Sequence, residues 1–189
     1  ALPIFENVVT YNKKVGDHNF GITALQSIQR DNSEGNSINV QGVPAETQSF
    51  YNVGNASSVL GVGSGLVQWT INSYMGRVNY DYKDKYLVTA TIRRDGSSRF
   101  GENTKYGNFP GIALGWNISN EDFMKGSSWV DLLKLRVSRG SVGNQGVVPY
   151  QTQGLLGRTV YAFGNTPAYG YRPETIGNAD LHWETSTTT

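Results

Sequence analysis

The sequence predicts an all-β protein, built of antiparallel up-and-down strands that form part of a large transmembrane β-barrel with long loops on one side. Three observations carry this. Side chains alternate with a period of two almost everywhere, the alternating stretches are near the ~9 to 11 residues that cross an outer membrane at a tilt, and the connections differ in length from one rim to the other. Composition agrees. Of 189 residues only 16% are charged, against about 25% in an ordinary soluble domain, while 23 Gly, 11 Tyr, 7 Phe and 4 Trp are plentiful. The apolar runs are short and mean hydropathy is −0.41, which excludes a spanning helix but not barrel strands, whose alternation dilutes their hydropathy. With 16 Lys+Arg against 15 Asp+Glu, no basic footprint points to nucleic acid.

The elements follow in order. Residues 4–15 alternate least cleanly, because Asn7 and Lys13 interrupt the apolar face. Residues 18–28 set Phe20, Ile22 and Ala24 against Asn19, Gly21 and Thr23. In 69–82, Tyr74, Val78, Tyr80 and Tyr82 oppose Met75, Arg77, Asn79 and Asp81. The clearest strand is 86–94, where Tyr86, Val88, Ala90 and Ile92 oppose Thr89, Thr91 and Arg93. Residues 109–118 place Ile112, Leu114, Trp116 and Ile118 on one face, and 131–139 do the same with Leu133, Leu135 and Val137. A further strand starts near Leu181, making about seven in all.

Connections at Gly16-Asp17 and 83–85 are tight, 119–130 is moderately short, 95–108 is intermediate, and 29–68 and 140–180 are long. Two loops of about 40 residues on one rim are foreign to compact sandwiches, where connections beyond about 12 to 15 residues are uncommon. Pro110 stands at an expected strand start, and Pro3, Pro44, Pro149, Pro167 and Pro173 fall in expected loops or at an end. Tyr80, Tyr82 and Tyr86 flank one tight turn, as an interfacial aromatic girdle does, although β-propensity alone also favours tyrosine there.

The residues offer little for catalysis, and the chain reads as no enzyme. There is no Cys, hence no disulfide, thiolate metal site or Cys nucleophile. His18 and His182 stand far apart without ligand spacing, so no metal is expected. No G-x-S-x-G elbow or P-loop occurs, and Gly61-Val62-Gly63-Ser64-Gly65 reads as flexible loop. Glu121 and Asp122 are adjacent, so their carboxyls are expected to point apart rather than converge as a hydrolase pair must. Ser119-Asn120-Glu121-Asp122 reads instead as a capped helical turn. Arg93, Arg94, Asp95 and Arg99, around an Asp95-Gly96 turn, read as an ion-paired network bracing a loop, in preference to a ligand-facing patch. Tyr161, Phe163, Tyr169 and Tyr171 are the candidate ligand contacts, as aromatic faces suited to sugar rings or peptide groups. The rival reading packs these rings against each other to hold the loop together. No catalytic, cofactor or metal residue is assigned. Ala-Leu-Pro-Ile-Phe at the start has neither a basic nor an apolar signal region, so a piece of a longer protein is expected.

The stretch Gly76-Arg77-Val78-Asn79-Tyr80-Asp81-Tyr82, continuing as KDKYLVTATIRRDGSSRFGENTKYGNFPGIALGWNISNEDFMK, resembles the barrel domain of the SusC/RagA family of TonB-linked outer-membrane transporters. Asp131-Leu132-Leu133-Lys134-Leu135-Arg136, Gly143-Asn144-Gln145 and Asn178-Ala179-Asp180-Leu181-His182-Trp183-Glu184-Thr185 agree in order, and the opening Tyr11-Asn12-Lys13-Lys14 with Gly16-Asp17-His18-Asn19 looks like the family's upstream hairpin. The resemblance implies that residues 1–189 are part of a barrel of the roughly 22-stranded type, in the outer membrane of a Gram-negative bacterium. The plug and TonB box are not among these residues. It further implies extracellular loops capped by a SusD-like surface lipoprotein, coupling to TonB-ExbB-ExbD through the plug, contact with outer-membrane lipid, and import of oligosaccharides or peptides. Two other readings remain at this point: a secreted β-sandwich that binds or cleaves glycans, and a structural barrel without transport.

Overall fold

The computed structural model describes residues 3–44, 46–126 and 129–189, the side chains of 46–50 excepted. Among them the strands are β1 (Ile4–Val15), β2 (His18–Gln41), β3 (Ser58–Tyr82), β4 (Tyr86–Ser97), β5 (Tyr106–Asn117), β6 (Lys134–Asn144), β7 (Leu156–Phe163), β8 (Thr166–Pro173) and β9 (Glu184–Thr188). Seven form one antiparallel sheet in the order β1-β2-β3-β4-β5-β6-β9, and β7 and β8 pair separately. The sheet is open, with β1 and β9 at its edges.

Cross-strand register turns the sequence alternation into continuous rows. On one face run Tyr11–Ile22–Val78–Ala90–Ile112, then Lys13–Phe20–Tyr80–Val88–Leu114–Val137, then Val15–His18–Tyr82–Tyr86–Trp116–Leu135. Among the described residues nothing covers this face: Leu114 is 52% and Ile112 51% exposed. Lys13 and Arg139 are the charged members of these three rows and their extension onto β6, and both have stems long enough to carry their charge toward a polar boundary. A sandwich would bury these rows beneath a second sheet, so that reading is overturned; the rows are those of a lipid-facing band.

An aromatic row bounds the band on one side and a mainly polar row on the other. At the short-turn side, His18 and Tyr82 rings lie 4.7 Å apart, Phe20 and Tyr80 5.1 Å, and Tyr82 and Tyr86 6.5 Å. On the far side the row Asn7–Gln26–Tyr74–Arg94 crosses the sheet. Eight residues separate Tyr74 from Tyr82 and Arg94 from Tyr86, about 27 Å along a strand and roughly 20 Å once tilted by 35–45°, close to the ~25 Å band of outer-membrane barrels.

Several expected boundaries shift. Residues 29–68 are not a loop. β2 and β3 stay paired from Arg30–Thr70 to Gln41–Ser58, past the last pairs with β1 (Ile4–Gln29) and β4 (Ile71–Ser97). They form a free two-stranded ribbon about 40 Å long, with an irregularity at Asn39/Val40. Gly61, Gly63 and Gly65 are strand residues within it, not a flexible loop. Water on both faces of the ribbon removes the need for an apolar alternation, so the backbone pairs where the side-chain pattern is silent. Likewise 140–180 is not one loop: β6 runs on to Asn144, and β7 and β8 form a hairpin across a Gly164-Asn165 turn, with Gly164 at φ 63°. Pro167 and Pro173 consequently lie in β8. Pro110 is inside β5 rather than at its start, just past Gly111–Gly140 where the β5–β6 ladder stops. The two middle-sized connections exchange rank, since 98–105 on the long-loop rim is compact and 118–133 on the short-turn rim is longer.

Two outcomes follow for assembly. In the complete barrel, Leu114→Arg or Val88→Arg is expected to cost ~2 to 4 kcal/mol near mid-bilayer, while Ala113→Ser, on the opposite face, is expected to leave assembly unchanged; heat-modifiable mobility on gels after refolding reads both. Produced alone, the 189-residue segment is expected to aggregate through its uncovered edges, and a soluble monomer with cooperative unfolding is the contrary result.

Candidate functional site

The face opposite the apolar rows is the candidate solute-facing wall. Its rows are Thr10–Thr23–Arg77–Thr91–Gly111–Gly140, Asn12–Gly21–Asn79–Thr89–Ala113–Ser138 and Lys14–Asn19–Asp81–Leu87–Gly115–Arg136. Neighbouring side chains bond along these rows: Asn19 Nδ2 to Asp81 Oδ1 at 2.8 Å, Thr89 Oγ1 to Asn79 Oδ1 at 2.9 Å, and Arg77 Nε to Thr91 Oγ1 at 3.2 Å. In the first two rows the β5 and β6 positions narrow to Gly, Ala and Ser. A concavity of about 770 Å³ opens there, bordered by Arg77, Thr91, Arg93, Asp95 and Phe109. Such a surface offers hydrogen-bond donors and acceptors to a polar solute while leaving room for its passage.

The expected arginine cluster divides in two. Arg93 Nε reaches both oxygens of the buried Asp95 at 2.8 Å, and its Nη2 donates to Ser73 Oγ at 3.2 Å. Arg99 lies over the Trp69 ring at 4.5 Å and its Nη1 donates to the Gln145 and Val147 carbonyls at 3.4 and 3.1 Å. Arg99 thus reaches the 145–147 stretch, whereas Arg93 and Asp95 join β4 to Ser73 of β3. Arg94 does not join them: it points to the other face and lies 4.8 Å from the Tyr106 ring centroid. Asp95-Gly96 is strand, not a turn, and Gly96 has no positive φ. Its lack of a side chain is used by the Tyr106 ring, which occupies the place of a Cβ.

Sequence reasoning missed the hub that Arg99 belongs to. Phe100 and Phe109 are the buried apolar side chains among the described residues, and both meet Trp183, at ring distances of 5.0 and 5.4 Å. Trp183 Nε1 donates to the Lys105 carbonyl at 2.9 Å, Thr104 Oγ1 to the Leu181 carbonyl at 2.6 Å, and the Ser98 N–H to the Thr70 carbonyl at 3.0 Å. The compact 98–105 connection thereby ties the foot of the ribbon, the start of the 145–155 stretch and the approach to β9. The density of aromatic and small residues in 96–109 was the available signal.

The candidate ligand aromatics lie on the β7–β8 hairpin but not as one platform. Register pairs Val160 with Tyr169 and Arg158 with Tyr171 on one face, and Tyr161 with Ala168 and Phe163 with Thr166 on the other. Tyr161 crosses Gly170, and Arg158 lies 3.9 Å over Tyr169. All four rings are at least half exposed. The hairpin is held by its backbone ladder, with aromatic surface on two sides.

At the short-turn rim, Glu121 is the centre of a lock. Its carboxylate accepts from Lys85 Nζ at 2.9 Å, Tyr86 OH at 2.8 Å and Trp116 Nε1 at 3.0 Å. Asn117 and Asn120 Nδ2 both donate to the Asp84 carbonyl, at 2.7 and 2.8 Å. Instead of pointing apart, Glu121 and Asp122 share Lys85, with Asp122 Oδ2 at 3.7 Å. The expected capped turn is two 3-10 helices, Ile118–Asn120 and Asp122–Met124, without side-chain caps. Donation by Lys85, then Tyr86 and Trp116, lowers the Glu121 pKa from 4.5 to about 2, and the same partner raises that of Lys85. His18 Nδ1 pairs with Tyr80 OH at 2.8 Å and His182 Nδ1 with the Asp180 carbonyl at 2.9 Å. No group of three or more acidic or His side chains is poised for a metal among the described residues.

No protein-family model matches the chain. It is 41% identical over 181 residues to TonB-dependent receptor P39 of Formosa agariphila, covering 95% of this chain and 17% of that protein. It is 40% identical over 124 residues to TonB-dependent receptor SusC of Bacteroides thetaiotaomicron, covering 63% of this chain and 12% of SusC. The solved RagAB peptide transporter superposes with a TM-score of 0.82 over 98% of this chain and 20% of that one, at 24% identity, a likeness of fold. The chain thus spans less than a fifth of the length of the curated relatives it matches.

The Glu121 lock has a definite pH sign. A carboxylate with a lowered folded pKa stabilises above its unfolded value, near 4.5, and loses that contribution as pH falls toward about 2. Hydrogen exchange of 118–126 in the assembled barrel is therefore expected to be flat from pH 7 to 5 after correction for intrinsic rates and to rise below. Glu121→Gln is expected to raise it already at pH 7. Trp183→Ala, which removes the ring between Phe100 and Phe109, is expected to speed proteolytic cleavage within 98–105 and 145–155 without altering strand content by circular dichroism.

Proposed function

Because the chain belongs, as a segment, to the SusC/RagA family of TonB-dependent receptors, we propose that residues 1–189 form about a third of the wall of a roughly 22-stranded outer-membrane transporter. The plug and TonB box belong to other parts of that protein. A SusD-like surface lipoprotein rests on the long-loop rim, TonB-ExbB-ExbD pulls on the plug, and the cargo is an oligosaccharide or peptide. No bond of the cargo is made or broken.

The observation that carries this reading is the two-faced sheet: apolar rows, bounded at the short-turn rim by an aromatic girdle, on one side, and hydroxyl, amide and guanidinium rows on the other. In hydrocarbon such a sheet has one stable arrangement, apolar face outward and polar face lining a lumen. Asn79, Thr89, Arg77 and Thr91 then exchange hydrogen bonds with hydroxyls or peptide groups moving past, each bond weak enough to release. Tyr161 with Phe163, and Tyr169 with Tyr171, offer stacking surfaces above the mouth. Arg99 holds the rim in shape, while Arg93 and Asp95, paired with each other, border the concavity.

Uptake tests the reading. Deleting the full-length receptor is expected to abolish growth on one class of oligosaccharide or peptide at limiting concentration, and removing TonB to do the same; uptake that persists without TonB contradicts it. Phe163→Ala and Tyr171→Ala are each expected to raise the Kd for that cargo roughly two- to tenfold, measured by calorimetry on the purified receptor.

A further inference from the structure

We infer that the lipid-facing surface carries a docking site for a phosphorylated, multiply acylated glycolipid of the outer leaflet, formed by a depression at Gly76 and the cation Arg94. The inference rests on the outer-membrane barrel reading above. Gly76 lies in the outward row Val9–Ala24–Gly76–Ile92, and its missing side chain leaves a depression of about 440 Å³ walled by Val9, Ala24, Tyr74 and Ile92. Neither backbone nor packing demands glycine there. Its φ is not positive, and an added Cβ meets only Ile92, at 3.8 Å. What a side chain takes away is the depression itself.

The edge of the depression toward the long loops is polar. Asn7, Gln26, Tyr74 and Arg94 stand in one cross-strand row. Asn7 Nδ2 donates to Gln26 Oε1 at 2.9 Å, which leaves Gln26 its own N–H donors. Arg94 is exposed, lies over Tyr106, and has no carboxylate within ion-pair distance among the described residues. Its neighbour Asp95 is on the opposite face and bound to Arg93. An unpaired guanidinium at the margin of the apolar band, eight residues from the Tyr86 girdle, stands where headgroups lie and suits a phosphate, which it can grip through two parallel N–H groups.

The side and the width select the lipid. The row lies toward the long loops, the outward side of such barrels, where the leaflet consists of phosphorylated glycolipid. The depression spans four strands, about 14 Å, enough for several acyl chains side by side.

The test uses the full-length receptor extracted from native outer membranes in mild detergent, with bound lipid identified by native mass spectrometry. The expected result is a retained phosphorylated glycolipid, with occupancy lowered about tenfold in Arg94→Ala and lowered also in Gly76→Leu, both variants still heat-modifiable barrels. Retention of only a two-chain phospholipid, or equal glycolipid occupancy in wild type and Arg94→Ala, overturns the site. Absence of the receptor from the outer-membrane fraction overturns instead the barrel reading beneath it. Should Gly76→Leu fail to assemble, Arg94→Ala decides alone, because the Arg94 side chain is exposed and rests on the Tyr106 ring at the surface, outside the buried residues.

Discussion

Every backbone N–H and C=O that enters hydrocarbon must find its partner on a neighbouring strand, because no water is there to take its place. That constraint organises the molecule. It requires long ladders in continuous register, forces side chains into two alternating sets, and leaves the sheet with no need of a core. Phe100, in the 98–105 connection, and Phe109 are buried while the outward rows of the sheet are half exposed; in a soluble domain the same rows would be a fault, and in lipid they are the fitted surface.

The two rims solve different problems. At the short-turn rim a charged lock, Glu121 under Lys85, Tyr86 and Trp116, folds the 118–133 connection back onto the β3–β4 turn. Tyr86 and Trp116 are also members of the aromatic row, so one carboxylate joins the girdle to the connection beneath it. At the long-loop rim, the bracing comes from rings and carbonyls around Trp183 and Arg99. Beyond that brace the ribbon and the β7–β8 hairpin extend on their own ladders, with few side-chain contacts to order them. Mobility and recognition belong on such elements, and stability belongs at their feet.

The alternation of residues by itself determined much of this protein. Tyr86, Val88, Ala90 and Ile92, the rows around Leu114 and Leu135, and the tight turn at Gly16 fix which side chains meet lipid, because period two survives any choice of partner strand. The resemblance carried by the 76–125 stretch and the Asp180–Thr185 motif fixes the family, whereas the bend expected at Asp95-Gly96 is strand. Only the tertiary structure decided the remainder. The ribbon of 30–41 with 58–70 is unreadable in sequence because both its faces meet water. The division of Tyr161 and Phe163 from Tyr169 and Tyr171 depends on hairpin register, which the Gly164-Asn165 turn sets. Glu121 and Trp183 acquire their roles from neighbours 35 or more positions away, Trp116 excepted, and Arg94 acquires its role from a ring on the next strand. Register between strands is a property of pairing, and no local pattern of residues contains it.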